Sequence, residues 1–247
     1  MANWQDPQTT GVNAATVSVP RAARDVGLRS YMLSVYNYMA SGVLLTGIVA
    51  MLFAPYAAQV LISANGRGMS GLGWIVILSP LAIVMAMSYG AARMRAGTLQ
   101  VLFWTFAALM GLSMSTVFLA YTATSIAQTF FATAASFLGL SLYGYTTKRD
   151  LSPFGTFLIM GVVGLIAAIA LNAFLLKSAG MGMAISAIGV LLFAGLTAYD
   201  TQRIKSMYSY VQGTDMAGKT VIMGALTLYL DFINMFQFLL SFMGNRR

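Results

Sequence analysis

Residues 154–176 read FGTFLIMGVVGLIAAIALNAFLL, an apolar stretch without a single charged side chain. A helix of ~20 apolar residues is long enough to cross the hydrocarbon core of a bilayer. Comparable apolar runs recur along the chain, at about 31–53, 72–91, 99–122, 126–146, 182–200 and 220–243. The sequence therefore predicts an all-α integral membrane protein, a bundle of seven transmembrane helices.

The composition excludes a soluble globular protein. Only 8% of the 247 residues are charged and 59% are hydrophobic, with a mean hydropathy of +0.78, whereas soluble domains carry about 25% charged residues. Residues 1–28 are polar and lack apolar periodicity, so we expect a flexible N-terminal tail there. The transmembrane domain is expected over residues 29–247. The first apolar run starts too late and is too long for a signal peptide.

The residue types that are missing restrict the chemistry. The chain has no Cys and no His, and its six acidic residues are all Asp. Thiolate nucleophiles, imidazole ligands and a Ser-His-Asp triad are therefore excluded, and we expect neither enzymatic activity nor a cofactor. A cation site would use carboxylate, amide, hydroxyl and backbone oxygens, which are hard ligands suited to Ca²⁺ or Na⁺.

The net charge of +8 is interpreted as a set of topological anchors rather than as a nucleic-acid-binding surface. With the N-terminus in the cytoplasm, ten cations fall inside and four outside. The inner set is Arg21, Arg24, Arg29, Arg93, Arg95, Lys148, Arg149, Arg203, Lys205 and Lys219; the outer set is Arg67, Lys177, Arg246 and Arg247. We therefore expect a cytoplasmic N-terminus in a bacterial inner membrane.

Two aspartates lie within apolar runs. An ionisable group inside a span costs roughly 2.5–3.5 kcal/mol on insertion scales and marks a functional site by default. Asp231 lies about 11 residues into the last run, hence roughly 17 Å deep. Asp200 ends the sixth run as drawn, but residues 201–208 could continue that helix and place Asp200 roughly 12 Å deep.

Each aspartate shares a helix face with small and polar residues, including Thr197 on the sixth helix and Thr227 and Asn234 on the seventh. Lipid offers such faces no partner, so both should turn into the bundle. If the carboxylates meet, low dielectric disfavours double ionisation and the pair titrates as a unit. The pair could sense pH, bind a divalent cation weakly, or pair with an Arg that simply locks the bundle.

Three motifs resemble those of the Bax inhibitor-1 family, the transmembrane Bax-inhibitor-motif proteins. Residues 198–205 (AYDTQRIK) and 228–236 (LYLDFINMF) are similar to its two C-terminal motifs, and 143–152 (YGYTTKRDLS) to its fourth-to-fifth helix junction. The similarity runs from about Arg29 to Phe242. It implies seven helices with the last one central, and a pH-sensitive calcium leak across the membrane.

The resemblance also implies roles for particular residues. The family's paired aspartates correspond to Asp200 and Asp231, which would form an ion-binding and pH-sensing site for Ca²⁺. An arginine that latches the sixth-helix aspartate best matches Arg93, with Arg95 as the alternative. Some members carry a glutamate in the second helix, and this chain has no Glu.

The competing hypothesis is a membrane protein that modulates a membrane protease or a stress or cell-death pathway. The expected partners are membrane lipid and Ca²⁺, with a membrane protease under that alternative and no nucleic acid.

Overall fold

The computed structural model describes residues 21–63 and 68–246, and within them seven helices are long and apolar enough to cross a membrane. This confirms the predicted all-α transmembrane bundle. The helices are α1 (Arg21–Leu61), α2 (Gly71–Gly90), α3 (Ala96–Met114), its one-turn extension α4 (Val117–Ala120), α5 (Ala123–Thr146), α6 (Ser152–Leu171), α7 (Ala179–Val211) and α8 (Met216–Met243). A short π-helix, Asn172–Leu176, lengthens α6. The sixth and seventh spans are therefore α7 and α8.

Two helices extend beyond the apolar runs that predicted them. Helix α1 begins at Arg21, inside the segment expected to be a tail, while residues 1–20 lie outside the described part of the chain. Helix α7 continues past Asp200 to Val211, the longer of the two extents considered from sequence. A hydrogen bond to α5 stabilises this extension of α7: Lys205 Nζ donates to the Tyr145 carbonyl at 2.7 Å. Asp200 consequently lies well inside its helix rather than at its end.

Helix α8 is the axis of the bundle. About 61% of its most apolar window is buried, against 33% or less for every other span. It packs against α1, α3, α5 and α7, while α2 leans on α3 and α6 leans on α7. The aromatic rings of Phe103, Phe106 and Tyr229 meet edge to face at the centre. Both aspartates of interest therefore lie on or against the most buried helix.

The pairing of α7 with α8 is close because small residues line it. Gly189 lies against the Phe238 ring, and Gly224 lies against the side chain of Ile204. A side chain at either glycine would push the helices apart, which is the usual reason for small residues between transmembrane helices. Nearer the other end, Ser186 Oγ bonds to Ser241 Oγ at 3.0 Å. The polar faces predicted on the two helices therefore do face each other.

Candidate functional site

Asp200 of α7 and Asp231 of α8 lie side by side in the interior. Their solvent-exposed fractions are 8% and 4%, and their carboxyl groups are within hydrogen-bonding reach of each other. Antiparallel packing of α7 and α8 brings them together, since the same alignment pairs Ser186 with Ser241 and Ile204 with Gly224. The structure thus brings together the two acids that the sequence singled out.

One carboxyl oxygen of the pair has no hydrogen bond. Oδ2 of Asp231 is buried and has no partner among the residues that the structure describes. Buried polar atoms in proteins are normally satisfied, and an exception calls for an explanation. Two adjacent carboxyls can satisfy such an oxygen by sharing a proton, or both can contribute oxygens to a bound cation. The arrangement is suited to exchanging a proton for a metal ion.

The described residues place little positive charge on this pair. The charge that acts on Asp200 is that of Arg203, one turn further along α7, whose side chain is exposed. Arg93 lies in the turn after α2, where its side chain is exposed and its N–H donates to the Gly90 carbonyl at 2.9 Å. Arg95, also exposed, is the residue that precedes α3. In this conformation the structure brings Arg203, and neither Arg93 nor Arg95, into the neighbourhood of Asp200.

The three supporting polar residues predicted from sequence are bonded to their own helices. Thr197 Oγ1 donates to the Phe193 carbonyl at 2.7 Å and Thr227 Oγ1 to the Met223 carbonyl at 3.1 Å. Asn234 Nδ2 donates to the Leu230 carbonyl at 2.8 Å. None of the three bonds to either carboxylate, so they supply no hydrogen-bonding partner to the pair.

Few acidic side chains are available to coordinate a metal ion at this site. Across the described part of the chain there is no group of three or more acidic, His or Cys side chains that could hold a metal ion. Calcium commonly takes six to eight oxygen ligands, and tight sites supply several carboxylates. Two carboxylates, with backbone oxygens and water completing the shell, would bind Ca²⁺ weakly. A weak site suits an ion in transit better than one stored in the protein.

A polar cleft of about 440 Å³ opens at the ends of α5, α6 and α7 nearest to Asp200. Its lining includes Lys148, Arg149 and Arg203 against the single acid Asp150. The Ser152 N–H donates to Asp150 Oδ1 at 2.9 Å and lowers the pKa of that carboxyl, so Asp150 is ionised. The cleft nevertheless keeps an excess of positive charge, three cationic side chains against one carboxylate.

Sequence reasoning missed two parts of the surroundings. Arg203 is three residues after Asp200, and the i, i+3 spacing on a helix could have identified it as a neighbour. The second part is a chain of hydroxyls: Tyr36 to Ser141 at 2.5 Å and Ser141 to Thr201 at 2.9 Å. These residues come from three helices, and no spacing along the sequence relates them. The chain of hydroxyls ends beside Asp200 and ties α1 and α5 to α7.

Comparison with known proteins agrees with the fold of an integral membrane protein. The family model described as "Inhibitor of apoptosis-promoting Bax1" matches residues 28–247. An uncharacterised protein of Rickettsia prowazekii is 49% identical, over 90% of this chain and 92% of its own. A protein of Escherichia coli named inner membrane protein YbhL is 47% identical, over 92% of this chain and 95% of its own. The chain therefore belongs to the Bax inhibitor-1 family of integral membrane proteins.

Proposed function

We propose that this protein is a pH-sensitive leak pathway for cations, with Ca²⁺ as the ion, and that the Asp200–Asp231 pair is its gate. The observation that supports this most directly is the pair itself: two adjacent buried carboxyls, one with an oxygen that has no hydrogen-bond partner among the described residues. A bundle built only for stability gains little from such a pair, because replacing buried charged groups by apolar ones is often neutral or stabilising.

The proposed mechanism follows from the electrostatics of adjacent carboxyls. With one proton between them, the pair carries a single negative charge and α7 stays against α8. When that proton leaves, two like charges face each other at low dielectric, and their repulsion is relieved by separation of the helices or by entry of a cation. Either response couples proton concentration to the passage of Ca²⁺. Arg93 is proposed as the latch that holds Asp200 in a closed state.

The remaining parts of the proposal concern setting and chemistry. We place the protein in a bacterial inner membrane, as the name of the E. coli relative suggests for that relative, with the N-terminus in the cytoplasm. No enzymatic activity or resident cofactor is proposed, because the chain lacks the Cys and His on which most such sites depend. Calcium is the transported ion.

The test is calcium flux through the purified protein in liposomes across a range of pH. Asp200→Asn and Asp231→Asn should each flatten the pH dependence, because a coupled pair loses its shared titration when either carboxyl is removed. The double variant should add little, since interacting sites are non-additive. Asp215→Asn is the matched control: Asp215 is exposed before α8 and its side chain makes no capping bond.

All four variants must be folded and monodisperse in detergent before their fluxes are compared. Independent and additive partial effects of the two single variants would show that the aspartates are separate sites. Flux that is equal in wild type, both single variants and the double variant would refute the gate. It would favour the competing hypothesis, a membrane protein that modulates a protease or a stress pathway.

A further inference from the structure

A deep apolar groove runs between α1 and α5 on the outside of the bundle. Its volume is about 720 Å³, within the ~300–1,000 Å³ typical of sites that enclose a small ligand. Both helices pack against α8 without packing along each other, so the side chain of Phe232 on α8 forms the floor. Small residues widen the groove, with Ala40 on one wall and Ala134 on the other.

Away from the end that Arg29 and Tyr145 line, the groove has no free side-chain polar group. The hydroxyls in this part, Tyr36 and Ser141, are bonded to each other, and Ser141 is also bonded to Thr201. The remaining walls and floor are largely Leu, Met, Phe, Val and Ala. A cavity holds water only if polar partners are available, and an empty apolar cavity forfeits dispersion contacts on every side. The occupant of this part of the groove must therefore be apolar.

One end of the groove is cationic. Arg29 lines it there with an exposed side chain. Tyr145 lines the same end, and Lys205 Nζ lies 4.8 Å above the centre of its ring. Helix α5 ends one residue after Tyr145, so this end of the groove lies at the end of a membrane-spanning helix. A guanidinium at that depth matches a phosphate in charge and in bidentate geometry.

We propose that the groove binds one acyl chain of an anionic phospholipid, with the lipid phosphate on Arg29. The two halves of the site require an amphiphile: an apolar tail for the α1–α5 groove and an anionic head for its end. A free phosphate would leave the apolar groove empty, whereas one phospholipid fills the groove and brings an anion to Arg29. The hydroxyl chain from Tyr36 to Thr201 then joins the lipid site to the residue after Asp200.

The head-group half is tested by native mass spectrometry of the full chain titrated with phosphatidylglycerol, phosphatidylethanolamine or inorganic phosphate. Phosphatidylglycerol should be retained about tenfold more tightly than phosphatidylethanolamine, the factor expected for one charge-assisted contact. Inorganic phosphate should not be retained. Arg29→Gln should remove the preference, while Arg95→Gln, an exposed cation outside the groove, should preserve it. A preference that Arg29→Gln leaves unchanged would overturn the assignment of the phosphate.

The tail half is tested by filling the groove. Ala134→Trp should abolish retention of both lipids, whereas Ala167→Trp, on an exposed face of α6, should not. A second measurement needs no variant: phosphatidylglycerol with a photoreactive acyl chain should label wild-type residues of α1 and α5. Equal lipid retention by the two Trp variants would refute the groove as the site, as would predominant labelling of α6. Cross-links that place a second copy or residues 1–20 in the groove would also refute it.

Discussion

Asp231 and Tyr229, two residues apart on α8, show two ways of burying a polar side chain in this bundle. The Tyr229 hydroxyl is bonded to Thr46 Oγ1 at 2.6 Å, and Thr46 Oγ1 donates to the Ala107 carbonyl at 2.8 Å. That network is complete and joins α8 to α1 and α3. Asp231 instead keeps a buried oxygen without a described partner, which typically costs about 1–3 kcal/mol. This free-energy cost occurs at the site where an exchangeable proton or ion is proposed to bind.

The latch is a prediction at the same scale. Arg93→Ala should shift the pH profile of calcium flux in liposomes, because the variant lacks the cation that is proposed to hold Asp200 in a closed state. Arg95→Ala, two residues away and also exposed, is the control and should behave as wild type. Arg203→Ala completes the set, because Arg203 is the cation that acts on Asp200 in this structure. A shifted profile in Arg203→Ala alone would transfer the role from Arg93 to Arg203.

At the scale of single residues, the sequence identified the two buried aspartates but not the residues that lie near them. An Asp inside an apolar run is costly in lipid, so composition alone was enough to single out Asp200 and Asp231. The position of Arg93 relative to Asp200 depends on how the turn between α2 and α3 folds over the bundle. The Tyr36–Ser141–Thr201 chain likewise depends on the rotation of three helices. No pattern within one segment contains that information.

At the scale of elements, a small residue allows α5 and α7 to approach closely. Gly144 of α5 lies so close to the Ala198 carbonyl of α7 that a Cβ atom at residue 144 would overlap it. Ala198 is two residues before Asp200. This contact therefore fixes where along α5 the part of α7 that carries Asp200 lies. Sequence analysis predicted the helices, but which helices pair is determined only by their packing.

Gly144→Ala should therefore destabilise the bundle, by about 1–3 kcal/mol as for other overpacked sites. Gly139→Ala on the same helix is the matched control, because no other group lies within 4 Å of its would-be Cβ. That change should be neutral or slightly stabilising, since Ala is preferred over Gly within a helix. Thermal unfolding in detergent measures both. A Gly144→Ala protein as stable as Gly139→Ala would mean that α5 and α7 can separate at no cost.

For the whole molecule, composition predicted the number of spans correctly because a bilayer imposes a minimum apolar length. Helix ends were harder, as the early start of α1 and the long end of α7 show. Polar residues such as Lys205 extend α7 because they bond to a neighbouring helix end rather than to water. A hydropathy pattern does not register such bonds. The central position of α8 was predicted from the family resemblance, and the burial of α8 confirms it.

Orientation is the prediction that belongs to the whole molecule. Residue 148 follows α5 at one end of the bundle, whereas Asn245 bonds to Ser125 near the start of α5 at the other. The excess of Lys and Arg predicts that Lys148→Cys is labelled from the cytoplasm and Asn245→Cys from outside. The absence of native Cys makes thiol labelling specific. Labelling of Lys148→Cys from outside only would reverse the topology.

The central position of α8 has a consequence for how the protein is made. Ribosomes deliver the N-terminus first, so α8 leaves after α1, α3, α5 and α7, the helices that pack against it. Until it arrives, the inner faces of α1, α3, α5 and α7 lack the partner that covers them in the finished bundle. Assembly of the core must therefore follow synthesis of the full chain. A nascent chain stopped before Met216 would have six membrane-spanning helices without the central one. We expect such an incomplete bundle to be a substrate for quality-control proteases of the membrane.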